Sequence, residues 1–214
     1  GGNRLIWDMR YPGFKSFEGM VLYSSPNVGP KVAPGKYNIK MTYNDQILQK
    51  EFEIVKDPRV KISQADYQDQ LEFLINVRDE VSRANQKIID IRNIKNNMTF
   101  IRDKSSNNLE LQELINKYLT DISEIENNIH MTKNQSRQDP LNYGIRINNR
   151  IAFLLADSQR GDYPPTDQSK EFFIQIKKEL DTEILKLDAL IDKHSQKIEN
   201  YLKENKIELI SLNN

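Results

Sequence analysis

The stretch KDPRVKISQADYQDQLEFLINVRDEV, residues 56–81, decides how this chain is read. Before it, apolar side chains recur at every second position. Within it the spacing changes to steps of three and four, the repeat of a helix. Lys56-Asp57-Pro58-Arg59 is the joint between the two regimes. Pro58 fixes its own φ and pushes Asp57 toward extended geometry, which makes a short, stiff connection. Ser63 and Asp66 then have capping-box spacing, an acceptor and an acid at the positive end of a helix.

Downstream, Leu74, Val77, Val81, Ala84, Ile88, Ile91, Ile94, Met98 and Ile101 form one stripe. It predicts a helix of about 40 residues, roughly 60 Å long. A second stripe, Leu111, Ile115, Tyr118, Ile122, Ile125 and Ile129, follows a cap at Asn107 with Glu110 three residues on. A third, shorter helix carries Ile147, Ile151, Leu154 and Leu155 beyond the polar loop at Asp139-Pro140. A fourth starts near Thr166, after Pro164-Pro165, and runs to about Asn205 with Phe173, Ile176, Leu180, Ile184, Leu187, Ile191, His194, Ile198 and Tyr201 on its stripe. Narrow apolar seams on long helices must pack on one another. Two layouts fit: an up-down-up-down four-helix bundle, which is preferred, and three columns with the middle one broken at 132–142.

Upstream, six of the eight Gly and five of the eight Pro fall within the first 58 residues. They punctuate four strand candidates, 4–11, 19–24, 36–43 and 47–55. In the first, Leu5, Trp7, Met9 and Tyr11 share one side. In the third, Tyr37, Ile39, Met41 and Tyr43 do so, and Leu48, Phe52 and Ile54 do so in the fourth. Asn44-Asp45-Gln46 reads as the hairpin turn between those two strands. One packed sheet face is expected, with Trp7 buried in it or against the start of the first helix, near Tyr67 and Leu71. The fold class expected is α+β: a small immunoglobulin- or fibronectin-like antiparallel sandwich at 1–58, then an elongated antiparallel bundle at 59–214 with an extended tail.

Composition excludes several functions. Lys+Arg and Asp+Glu both total 31, so the chain lacks the basic excess that nucleic acid or an anionic membrane surface attracts. No apolar run reaches the ~20 residues of a membrane span. With no Cys there is no disulfide framework, thiolate nucleophile or Cys-ligated zinc. Zinc-protease, nucleophile-elbow and phosphate-loop motifs are missing. His194 reads as a bundle histidine, His130 as a polar flank, and the many acids as solvated helix faces among lysines. No catalytic, metal or cofactor residue is assigned. Arg160-Gly161-Asp162 resembles an integrin-recognition tripeptide, although Gly and Asp also suit the turn it occupies. Phe14, Phe17, Met20, Val21, Leu22 and Tyr23 are too apolar for a plain loop. Phe14, Phe17 and Tyr23, with Ile207 and Leu209 of the tail KIELISLNN, are the candidate interface residues.

The ordered set NRLIWDMRY, GPKVAPGKYNIKMTY, FEIVKDPRV and ISQADYQDQLEFLINVRD resembles the C-terminal region of bacterial sortilin-like BNR-repeat proteins, often labelled glycosyl hydrolases. YGIRINNRIAFLLADSQRGDYPPTDQS resembles that family's later helix and Pro-Thr loop, with Gly144 where the family tends to have Pro. The resemblance implies a β-propeller upstream, with a strand at residue 4 that once followed propeller residues. It also implies an extracytoplasmic setting and no catalysis in this region, because family hydrolase residues would lie on the propeller. The function expected is a non-catalytic interaction region whose partner is that propeller, or a further protein or glycan. The alternative is a carbohydrate-binding module with the aromatics as platforms.

Overall fold

The computed structural model describes residues 2–105, 107–205 and 207. Two strands, β1 (Gly35–Tyr43) and β2 (Gln46–Ile54), form an antiparallel hairpin. Five helices follow: α1 (Gln64–Lys104), α2 (Leu109–Ile129), α3 (Asp139–Tyr143), α4 (Ile147–Ser158) and α5 (Asp167–Glu204). The protein is therefore mixed and mostly helical.

The hairpin turns at Asn44 and Asp45, both at positive φ (43° and 64°), where short polar side chains are tolerated best. Tyr43 pairs with Gln46, so the loop has two residues. α1 opens with the expected capping box: Asp66 N donates to Ser63 Oγ at 3.1 Å and Ser63 N donates to Asp66 Oδ2 at 2.8 Å. The cap of α2 is Asn108 rather than Asn107; its Oδ1 accepts from Leu111 N at 3.0 Å. Two adjacent asparagines offer the same chemistry, and helix phase selects between them. Thr166 caps α5 through Ser169 N at 3.1 Å.

Residue pairings define the helix layout. Arg92 and Arg102 of α1 reach Glu126 and Asn116 of α2, at 2.9 and 3.3 Å, so these helices are antiparallel. Gln70 and Asn85 of α1 meet Ser158 and Asn148 of α4, again in reverse order. Phe73, Arg83 and Lys87 of α1 face Phe173, Asp181 and Asp188 of α5 in the same order. α1 and α5 thus run parallel, and α2 and α4 lie end to end as a broken column against both. The four-helix layout preferred from sequence gives way to three columns. The reason is length: α2 has 21 residues and α4 has 12, so the two together match one 41-residue α1.

Val81, Ala84, Ile88, Ile91, Leu111, Ile115, Ile122, Ile151, Ile176, Leu180 and Leu187 are fully buried in one continuous core. Burying each branched aliphatic side chain contributes about 1.5–3 kcal/mol.

No immunoglobulin-like sandwich forms among the described residues. Residues 4–11 make only an isolated bridge, Arg10 to Lys31. Segment 19–24 is not a strand: Gly19 and Ser24 turn the chain at positive φ (72° and 51°). Residues 14–25 form a strap across the helices instead. Lys15 N donates to Ser82 Oγ of α1 at 3.0 Å, and Asn85 Nδ2 donates to the Lys15 carbonyl at 2.6 Å. The expected division at residue 58 therefore cuts through contacts that join the strap to the helices. Gly29 lies so close to the opposing chain that a Cβ there would run into the Tyr11 carbonyl.

Candidate functional site

The interface residues expected from sequence lie in the strap and the tail, and the structure ties most of them into the helical body. Phe14 is 3 % exposed and belongs to the core. Phe17 packs against it, edge-on to the His130 ring at 4.9 Å and beneath the Arg92 guanidinium at 4.7 Å. Tyr23 is held through its backbone: its N–H donates to Asn149 Oδ1 at 2.8 Å, and its carbonyl accepts from Asn149 Nδ2 at 3.0 Å. One carboxamide thus takes the place of a neighbouring strand. Ile207 packs against the core, and Leu209 lies outside the described residues.

The strap fills the break in the middle column. α2 ends where His130 turns to extended geometry (φ −138°, ψ 133°), and its ring is buried rather than flanking the helix in solvent. His130 Nδ1 is 3.2 Å from Asn148 Nδ2, which also donates to Asn85 Oδ1 at 3.1 Å. The carboxamide donates, so Nδ1 accepts and the ring proton sits on Nε2. Burial pushes the His130 pKa down to about 4, the Arg92 charge adds to this, and the Glu126 carboxylate opposes it. Nearby, burial would raise the Glu126 carboxyl, but hydrogen bonds from Lys95 (2.8 Å) and Arg92 (2.9 Å) outweigh it and hold the group below the ordinary range.

His194 is buried too, stacked on Tyr118 with centroids 4.8 Å apart and Nε2 3.3 Å from Asp121 Oδ2. Burial lowers its pKa, with Asp121 opposing. It serves the bundle, as expected. Among the described residues, no three His, Asp or Glu side chains gather to hold a metal ion, and no helix is long and apolar enough to cross a membrane.

A cleft of about 320 Å³ opens between the base of the hairpin, α1 and the α4–α5 loop. Arg10, Asp57, Gln70 and Asp162 line it. Its polar groups are largely engaged within the fold. Arg10 Nη1 donates to the Gly29 carbonyl (2.8 Å) and Gln159 Oε1 (3.2 Å), and Gln70 Nε2 donates to the carbonyls of Ser158 (3.0 Å) and Gly161 (2.7 Å). Tyr67 Oη donates to Asp162 Oδ2 at 3.3 Å, so the Arg160-Gly161-Asp162 loop uses its carboxylate internally.

A row of exposed apolar side chains lies on the hairpin. Register places Tyr37, Ile39, Met41 and Tyr43 of β1 on one face with Leu48, Lys50 and Phe52 of β2. At the base, the Trp7 indole lies on Tyr37 and Phe52, centroids 6.1 and 6.2 Å away. Beyond it, Ile39, Met41, Tyr43 and Leu48 are 51, 55, 69 and 61 % exposed. The groove beside this face continues onto Leu5 and Ile6. A hairpin alone is marginal in water, and a contiguous apolar face of this kind marks an interaction site. The alternation predicts this face within a sheet that also includes strands at 4–11 and 19–24, and neither segment pairs with the hairpin. Comparison with protein-family models, with curated proteins and with solved structures finds no match to this chain.

Proposed function

We propose that this chain is a non-catalytic interaction region that docks, through the apolar face of its β1–β2 hairpin, onto a β-propeller of the kind its sequence resembles. The carrying observation is the uncovered row Ile39, Met41, Tyr43 and Leu48 on a helical body whose own core is closed. In this reading the hairpin is half of an immunoglobulin-like sandwich, and the docked partner supplies the other layer. The setting is extracytoplasmic, as the resemblance implies. The rival carbohydrate-binding reading used Phe14 and Phe17 as sugar platforms, and burial of Phe14 removes that support. The test is titration of the chain with a separately produced sortilin-like propeller by calorimetry. Saturable binding that Met41→Asp abolishes is the expected result. Absence of binding, or saturable glycan binding that a Phe17→Ala change removes, overturns the proposal.

A further inference from the structure

Resting on the docking role of the hairpin, we infer that the occupant of its bare face is a protein β-layer that places a carboxylate opposite Lys50. The face has one charged side chain. Tyr37, Ile39, Met41, Tyr43, Leu48 and Phe52 are uncharged, and Lys50, cross-strand from Ile39, sits among them. Lys50 makes no ion pair among the described residues; the hairpin's own ion pair, Lys36 with Glu51 at 3.6 Å, is on the opposite face. A layer seated over Ile39, Met41 and Leu48 lies against the Lys50 side chain, cross-strand from Ile39. Removing a cation from water costs several kcal/mol unless an anion and hydrogen-bond acceptors meet it. The complementary surface is therefore apolar with one acid.

Two other occupants fit less well. A second copy of the chain, stacked face to face, brings a second Lys50 and no anion. A membrane surface gains nothing from charge, because Lys36, Lys40 and Lys50 are balanced by Asp45, Glu51 and Glu53 within the hairpin. A β-layer is indicated by continuity. Trp7 already begins a second layer over Tyr37 and Phe52, and the bare row from Ile39 to Tyr43 has the length of a typical strand. Stacked sheets lie about 10 Å apart, with side chains of the two faces interdigitating.

The probe is a designed three-stranded antiparallel miniprotein with one face of Val and Ile around a central Glu, together with its Gln and Lys versions. Binding of each to the full chain is measured by calorimetry. The Glu version is expected to bind at least about tenfold more tightly than the Lys version, and Lys50→Glu is expected to reverse that order. All the altered side chains are exposed, and circular dichroism checks that helix content is unchanged. Equal binding of the three versions, abolished by Met41→Asp, overturns the carboxylate inference while leaving a docking face. Absence of binding by all three overturns the inference together with β-layer docking. Failure of a propeller to bind while the Glu miniprotein does bind overturns only the choice of propeller. Binding to phosphatidylserine vesicles without miniprotein binding, or a dimer in sedimentation that Ile39→Asp dissociates, overturns the inference in favour of a membrane or a second copy.

Discussion

Asn148 Nδ2 donates to Asn85 Oδ1 across 3.1 Å, and both side chains are fully buried. The pair joins α1 to α4 at the break in the middle column. Asn85 also donates from Nδ2 to the Lys15 carbonyl at 2.6 Å, so one side chain fixes both a helix contact and the strap. Buried polar groups of this kind are costly when half satisfied.

Asn85→Leu keeps the branched outline of the side chain but orphans both the Lys15 carbonyl and one Asn148 donor bond. Each orphaned buried group costs about 1–3 kcal/mol, so a loss of at least about 2 kcal/mol is expected. Urea unfolding followed by circular dichroism measures it. A cycle with Asn148→Leu should show non-additivity of about 0.5–3 kcal/mol. Strictly additive losses would mean that the two amides do not act together.

His130 makes stability pH-dependent. Its folded pKa, about 4, lies below the ordinary 6.5, so the unfolded chain binds the proton more readily. The contribution is complete above about pH 6.5 and is lost as pH falls from there toward 4, in total about 3 kcal/mol. His194 is shifted in the same direction and adds to the slope. His130→Gln should flatten the fall in unfolding free energy between pH 7 and pH 5. An unchanged slope would show that His130 is not buried as a neutral ring.

Glu126 is the buried acid between two cations that are each about one-third exposed. Glu126→Gln removes the charge from both contacts, and hydrogen bonds to charged groups contribute about 1.5–3 kcal/mol. A loss of about 2–3 kcal/mol at pH 7 is expected, smaller than for a fully buried pair because Arg92 and Lys95 can turn toward water. At low pH, once the wild-type carboxyl is protonated, the two proteins should converge. A difference that persists there would point to shape rather than charge.

Ile88 and Leu187, on facing stripes of α1 and α5, are both fully buried. Truncating either to Ala should cost about 2–5 kcal/mol in thermal or urea unfolding. The same range is expected for Phe14→Ala, which sequence alone placed on a candidate surface. A cost below about 0.5 kcal/mol at Phe14 would return it to the surface.

The long helices were legible because their stripes repeat over many turns and their caps carry distinctive chemistry: Ser63 with Asp66, and Thr166 after two prolines. The hairpin was legible from alternation and turn residues. The strap was not. Its backbone is satisfied by the side chains of Asn85 and Asn149, more than 60 and 120 residues away in the chain, and such pairing leaves no local period. His130 departs from its expected place as a polar flank because one residue past a helix end has no fixed face. The column count was ambiguous because it depends on whether α2 and α4 stack side by side or end to end, and their stripes are the same in either case. The hairpin face was correctly found but assumed to be covered, since alternation shows that a face is apolar without showing what meets it.

Trp7 reports on that face. The indole is not buried as its strand pattern predicts: the residue is 43 % exposed, in contact with Tyr37 and Phe52, with Nε1 donating to the Arg10 carbonyl at 3.0 Å. The indole meets these two rings edge-on or tilted and stays partly open to water. Its fluorescence should therefore peak between the buried and water-like limits, with acrylamide quenching partial. As the only Trp in the chain, it gives an unmixed signal. Tyr37→Ala removes one ring of the platform and should shift emission to the red and raise quenching, with helix content unchanged. A covering layer should do the opposite, so the Glu-bearing miniprotein should shift emission to the blue if it extends the layer that Trp7 begins. A fully quenched, water-like signal in the unbound wild type would detach residues 5–9 from the hairpin. A deeply buried signal would mean that the face is already closed, and docking through it would then be ruled out.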